Sequence, residues 1–260
     1  MIRLPRALAA TLAFAALSSA HAQSTPKTGT EVLQRMHDAY AGKWYHTLAF
    51  VQQTTAYRGA APTVTTWYEA LRHTDKHGTQ LRIDVGEPAA GNGMLYTADS
   101  MWRMRDGKLA AQSDQGNEFL PMIEGVYVQP IAKTLEQIKG FGVDMSKVST
   151  GKWQDRPVWI VGAAAAADST SPQFWIDTDR KVVVRMLMNS GATGSALMDI
   201  RLDGYVPVGG GWLATKIAML VGGKPRQTEV YSQWKANIDL APGLFDPATW
   251  TTTPHWAAKP

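Results

Sequence analysis

Between Asn117 and Gly142 the chain changes rhythm. On both sides the apolar residues alternate with a period of two, the spacing of strands. Within this stretch Ile131, Leu135 and Ile138 recur at i, i+4 and i+7, one face of a helix. Pro130 stands where a first helical turn accepts it, and Gly140 where a helix stops. Just upstream, Met122, Ile123, Val126 and Tyr127 read as a shorter helix, weakened by Gly125. Two apolar helical pieces that interrupt a run of strands are expected to cover the open mouth of a curved sheet, the alternative being that they complete its core.

The strands are legible on both sides. Leu48 and Phe50 open a strand running from Tyr45 to about Arg58, and Gly59-Ala60-Ala61-Pro62 turns it back. Thr63 to His73, Thr79 to Val85, Met94 to Thr97 and Met101 to Arg105 follow, the last closed by the hairpin pair Asp106-Gly107. Beyond Gly142, strands are expected over Lys147–Trp153, Val158–Ala163, Phe174–Asp177, Lys181–Met188, Ala196–Tyr205, Trp212–Val221 and Arg226–Trp234. Asp199, Arg201 and Asp203 set against Ile200 and Leu202 give one wet face and one dry one. Before the first strand, Val32, Leu33, Met36, Ala39 and Tyr40 mark an amphipathic helix, with Thr30 as its cap and Gly42 at its end. The expected fold is therefore mainly β with a few α helices. It is a curved antiparallel sheet or incomplete β-barrel of about 11 strands under a helical lid, because a long twisted sheet curls. A curled sheet with helices on its concave side can enclose an apolar cavity.

The first residues read as a secretory signal peptide, residues 1–22. Arg3 and Arg6 precede an apolar run from Ala7 to Leu17, and Ala20-His21-Ala22 is an A-x-A cleavage pattern. The apolar run is shorter than the roughly 18 to 20 residues that span a bilayer, and no later run is apolar enough. Residues 23–260 then form a single domain, expected in the periplasm. With Arg3 and Arg6 set aside, the 26 Lys and Arg come close to balancing the 22 Asp and Glu. No basic cluster stands out, so no nucleic-acid footprint is present. The chain has no cysteine, so an exported form is held by its core rather than by disulfides. Ten Trp and eleven Met suit an adaptable apolar lining.

No catalytic signature emerges. His73, Asp75 and His77 form H-x-D-x-H, but beside Lys76 and Gly78 the pattern reads as a solvated turn rather than a metal site. Gly209-Gly210-Gly211 lacks a phosphate-binding frame. His37, His46 and His255 assemble no Ser-His-Asp triad. Glu69 reads as a cross-strand partner of Arg72 or Arg82. No enzyme, metal or cofactor is expected.

Several stretches together resemble the LolA/LolB-like periplasmic lipoprotein-carrier superfamily, the outer membrane lipoprotein-sorting proteins. Trp67-Tyr68-Glu69-Ala70-Leu71-Arg72 followed by Leu81-Arg82-Ile83-Asp84 is similar to that family's strand pair. Met94 to Lys108 is similar to its next hairpin, Phe174-Trp175-Ile176-Asp177 with Lys181 to Met188 to a later one, and Leu244-Phe245-Asp246-Pro247 to its closing segment. The resemblance implies an incomplete barrel with a helical lid over a cavity for acyl chains, without catalysis. It also implies a lid-gating arginine, which by position is Arg72, with Arg82 as the second candidate. The sequence departs from the family where the carrier has Pro after that Arg and this chain has His73. On this reading the ligands are acyl chains of lipids or lipoproteins. The expected cavity lining is Phe50, Trp67, Leu81, Ile83, Trp102, Met122, Ile123 and Leu135. The alternative is an envelope sensor or protein-interaction module on the same fold, with an envelope protein as partner and no transport role.

Overall fold

A computed structural model of the protein describes residues 24–189 and 197–257. The leader expected over residues 1–22 lies outside them. The first described helix, α1 (Gly29–Tyr40), is capped by Thr28, whose hydroxyl accepts from the Glu31 amide at 3.2 Å. The cap is therefore two residues earlier than Thr30. The Glu31 carboxylate in turn accepts from the Lys27 amide at 2.8 Å, so one otherwise unpaired N–H of the first turn and the N–H just before the cap are both satisfied. Val32, Leu33 and Met36 form the buried stripe.

The strands fall into two meanders. The first holds β1 (Thr47–Ala56), β2 (Thr63–Thr74), β3 (Gly78–Val85), β4 (Gly93–Tyr96), β5 (Met101–Arg105) and β6 (Lys108–Ser113). The second holds β7 (Val148–Trp153), β8 (Arg156–Val161), β9 (Gln173–Asp177), β10 (Val183–Met188) and β11 (Met198–Asp203). A small hairpin, β12 (Val206–Val208) with β13 (Gly211–Leu213), stands apart. Then β14 (Lys216–Val221) and the long β15 (Lys224–Ala236) return to the main sheet. The two meanders join because β15 pairs with β1. The result is one antiparallel sheet of 13 strands, in the order β6-β5-β4-β3-β2-β1-β15-β14-β11-β10-β9-β8-β7. It does not close: β6 and β7 are its two edges. The incomplete barrel expected from the sequence is present, with more strands than the roughly 11 that turn spacing indicates.

Side chains show that the sheet curls. Met94 of β4 and Met186 of β10 line the same cavity. Seven strand spacings separate β4 from β10 in the sheet order, about 34 Å at ~4.8 Å each if the sheet were flat. A bulge sharpens the bend at the centre. Ala49 pairs with Lys235 but Val51 with Ser232, and Gln233 takes a positive φ of 54°.

The stretch from Asn117 to Gly142 connects edge β6 to edge β7. It holds a wide helical turn (Pro121–Gly125) running into α2 (Val126–Val128), then α3 (Ile131–Ile138). Pro130 stands between α2 and α3 in an extended conformation, and Gln129 bridges the joint by donating to Thr134 Oγ1 at 3.0 Å and Gln137 Oε1 at 2.6 Å. α1 lies on the same side, where His37 Nδ1 meets the Val126 carbonyl at 3.0 Å.

The opposite face of the sheet carries a second, smaller core. Ala49, Ala70, Leu95 and Met104 are covered there by Leu244, Phe245 and Trp250 of the C-terminal segment. Gly93 makes room for it: a Cβ at that position would come within 2.8 Å of the Trp250 ring.

Candidate functional site

Between the curled sheet and the helical segment lies a cavity of about 290 Å³. That is at the lower end of the ~300–1,000 Å³ typical of small-molecule sites. Strand alternation decides its lining. β1 contributes Leu48, Phe50 and Gln52, β2 contributes Trp67, Glu69 and Leu71, and β3 contributes Leu81 and Ile83. Across the cavity stand Met186, Ile200, Leu202, Ile217 and Met219. Phe119, Leu120 and Ile123 of the helical segment form the roof, and Trp212, Leu213 and Ala214 close one side.

Of the residues expected to line a cavity, Phe50, Trp67, Leu81, Ile83 and Ile123 do so. Three do not. Trp102 is on the other face, packed against the core around Leu244 and Trp250. Met122 is fully buried within the main core, and Leu135 is half-buried against that core without reaching the cavity.

Arg72 and Arg82 also face away from the helical segment. In β3, Leu81 and Ile83 point into the cavity, so Arg82 between them must point out. It is 2% exposed and forms a bidentate pair with Asp84, 2.7 Å from Nε to Oδ2 and 2.8 Å from Nη2 to Oδ1. It also donates to the Leu244 and Trp250 carbonyls at 3.2 and 3.0 Å, with its guanidinium 3.8 Å from the Trp250 ring centroid. Arg82 thus fastens the C-terminal segment. Arg72 donates to Gln80 Oε1 at 2.8 Å and lies 4.4 Å from the Phe245 ring centroid. Burial lowers its pKa. Glu69, on the cavity face, pairs with neither arginine. These two arginines clasp the tail and not the roof.

Glu124 makes a buried polar contact between the roof and the residues that lead into the sheet. This buried carboxylate accepts from Tyr45 OH at 2.7 Å and from Trp44 Nε1 at 3.0 Å, and His73 Nε2 lies 3.4 Å from it. His73, one residue beyond Arg72, is on the opposite face of β2 and therefore reaches the roof. It is the position at which the sequence departs from the carrier pattern. Trp44 also stacks on Tyr127 of α2, centroids 3.8 Å apart. Burial, followed by the Glu124 charge, holds the Tyr45 hydroxyl well above its usual pKa. Glu124 carries no sequence signal, because a single Glu in an apolar helix reads as a solvent-facing position.

The other polar groups gather along β1, β2 and β15. Glu69 and Glu229 are 5% and 6% exposed, and both line the cavity. Burial, and then the Glu229 charge, raises the Glu69 pKa well above the carboxylate range. Burial also raises Glu229, although Tyr231 OH and Gln227 Nε2 donate to it at 2.8 and 2.7 Å. Among the described residues no metal-type cluster occurs, and no helix is long and apolar enough to cross a membrane.

No family model matches the sequence, and no curated protein matches it. Solved structures do. An outer membrane lipoprotein-sorting protein domain from Vibrio parahaemolyticus superposes at a TM-score of 0.59 and 12% identity, over 86% of this chain and 98% of that one. A DUF1329 family protein from Desulfovibrio piger gives 0.57 and 14%, over 85% and 98%. A LolA superfamily protein from Nitrosomonas europaea gives 0.46 and 12%, over 84% and 97%. At such identities the likeness is one of fold, and the fold of this chain is that of the lipoprotein-sorting domain and the DUF1329 protein.

Proposed function

We propose that the protein is an exported periplasmic carrier that takes acyl chains of lipids or lipoproteins into the cavity and releases them toward the outer membrane. The function is binding without catalysis. The observation that carries this reading is the apolar cavity beneath a helical segment held to the sheet by Glu124. Each CH₂ that leaves water contributes about 0.8 kcal/mol, so one chain gives useful affinity. A cavity of this size holds only part of a long chain, so loading requires the roof to lift. Its joint at Pro130 and its polar latch at Glu124 are suited to that motion. The lipoprotein-sorting name of the Vibrio parahaemolyticus domain supports the same reading.

The test is native mass spectrometry of protein purified from its own envelope, followed by organic extraction. Acyl-bearing ligands in stoichiometric amount are expected. Protein that never carries such a ligand, and that takes up none from vesicles, would overturn the proposal.

A further inference from the structure

One end of the cavity has a chemistry that acyl chains do not need. Among the described residues three carboxylates, Glu69, Glu124 and Glu229, stand in its wall, and no Lys, Arg or His does. Glu124 is engaged by Trp44 and Tyr45. Glu69 has no such partner: only burial and the neighbouring Glu229 act on it. Beside it, Gln52 is 1% exposed, and its Oε1 lacks a hydrogen-bond partner while its Nε2 is committed to Thr54 Oγ1 at 2.7 Å. Register brings these groups together. Phe50 is opposite Glu69, Gln52 is opposite both Trp67 and Tyr231, and Thr54 is opposite Glu229.

A buried acceptor left unmet is destabilising unless a ligand or water satisfies it. At this place Gln52 Oε1 is an unmet acceptor and Trp67 Nε1 an unmet neutral donor, and the two carboxylates beside them bring negative charge. Aromatic faces line the same place: Phe50 and Tyr231 stack with centroids 4.4 Å apart, and Trp67 stands in the neighbouring strand. Carboxylates, an open amide oxygen and aromatic rings attract an organic cation and repel an anion.

We propose that the cavity selects amphiphiles with a cationic, ammonium-type head group, seated between Glu69 and Glu229 against Phe50, Trp67 and Tyr231, with the apolar tail along Leu81, Ile83 and Ile217. This rests on the acyl-binding reading and adds the head-group class. Anionic amphiphiles, with a carboxylate or phosphate as the buried group, are rejected. Burial raises the pKa of both glutamates and the Glu229 charge adds to this at Glu69, a repulsion that a cation between them relieves.

The experiment compares three probes of equal chain length: dodecyltrimethylammonium, dodecanoate and dodecanol. Each is titrated below its critical micelle concentration, with binding followed by tryptophan fluorescence and calorimetry. The ammonium is expected to bind at least tenfold more tightly than the carboxylate, with the alcohol between them. In the variant Glu69→Gln/Glu229→Gln the two charged probes are expected to converge within about twofold. Native circular dichroism and cooperative urea unfolding certify an intact fold in that variant, and the single variant Glu69→Gln serves should the double one fold poorly. Equal binding of all three probes, or an ammonium preference that survives both substitutions, overturns the head-group proposal and leaves acyl binding standing. Failure of every probe to bind overturns both.

Discussion

Tyr45 donates its hydroxyl to Glu124 Oε1 at 2.7 Å, joining residues 79 positions apart. Tyr45 leads directly into β1, so this bond connects the centre of the sheet to its helical roof. With Trp44 and His73 it makes Glu124 a polar latch of the roof, beside the Tyr127 hydroxyl, which donates to the Lys181 carbonyl at 3.2 Å.

Glu124→Ala therefore removes the acceptor of two buried donors. A stability loss of about 2–4 kcal/mol is expected, by urea denaturation, since unpaired buried groups keep their desolvation cost. Hydrogen exchange over residues 119–138 should accelerate while that of β8 to β10 stays slow. If the roof exchanges no faster than in the parent, Glu124 is not the latch.

Arg82→Met leaves the Asp84 carboxylate buried at 0% exposure with only His255 Nε2, 3.1 Å away, beside it. Breaking a buried pair from one side costs about 3–5 kcal/mol. Arg72→Ala, which gives up one hydrogen bond and one ring contact, should cost about 1–2 kcal/mol. In both variants the roof should exchange as in the parent, while Arg82→Met should expose residues 244–250. Proteolysis coupled to mass spectrometry reads the two regions separately.

Glu69→Gln should stabilise the protein in a pH-dependent way. The folded-state pKa of Glu69 is raised, so the folded chain holds a proton that the unfolded chain has released above about pH 4.3. Parent stability then falls as pH climbs from there toward the folded pKa. The variant lacks this loss, so its advantage in thermal midpoint should be largest near neutrality and vanish near pH 4. An advantage that does not change with pH would count against a buried, protonated Glu69.

Ala214→Phe places a ring into the cavity from the β13 side. Because it fills space that is already empty, the overpacking penalty of a dense core should be small, within about 1 kcal/mol. Acyl binding should weaken at least tenfold. Unimpaired binding would place the ligand elsewhere on the molecule.

Much of the architecture follows from periodicity. The helical pieces around Pro130 and most strands are legible because each buries a face. β6 is not, since Lys108 to Ala111 are all exposed along a free edge and impose no alternation. β12 and β13 are obscured by Pro207 and the Gly209–Gly211 run. For Phe50, Trp67, Leu81 and Ile83 the cavity position is readable from alternation. The same alternation places Arg72 and Arg82 on the far face, once Leu81 and Ile83 are known to point inward. What no local pattern reveals is that this far face is also dry, because Leu244, Phe245 and Trp250 arrive there from the end of the chain. Trp102 belongs to that second core for the same reason. Glu124 stays hidden because its partners Trp44 and Tyr45 lie 80 and 79 residues away.

The pairing of β1 with β15 also governs how the molecule can be made. The two strands sit side by side at the centre of the sheet, yet β1 starts at Thr47 and β15 ends at Ala236. Each meander can zip up locally, but the seam between them must wait for a loop of most of the chain to close, a slow step. Gln52 and Phe50 stand on one side of that seam, Glu229 and Tyr231 on the other. A nascent chain that has not yet delivered β15 therefore has no pocket. The binding space is thus the last part of the molecule to form, and it exists only once the strand ending at Ala236 has paired with the one beginning at Thr47.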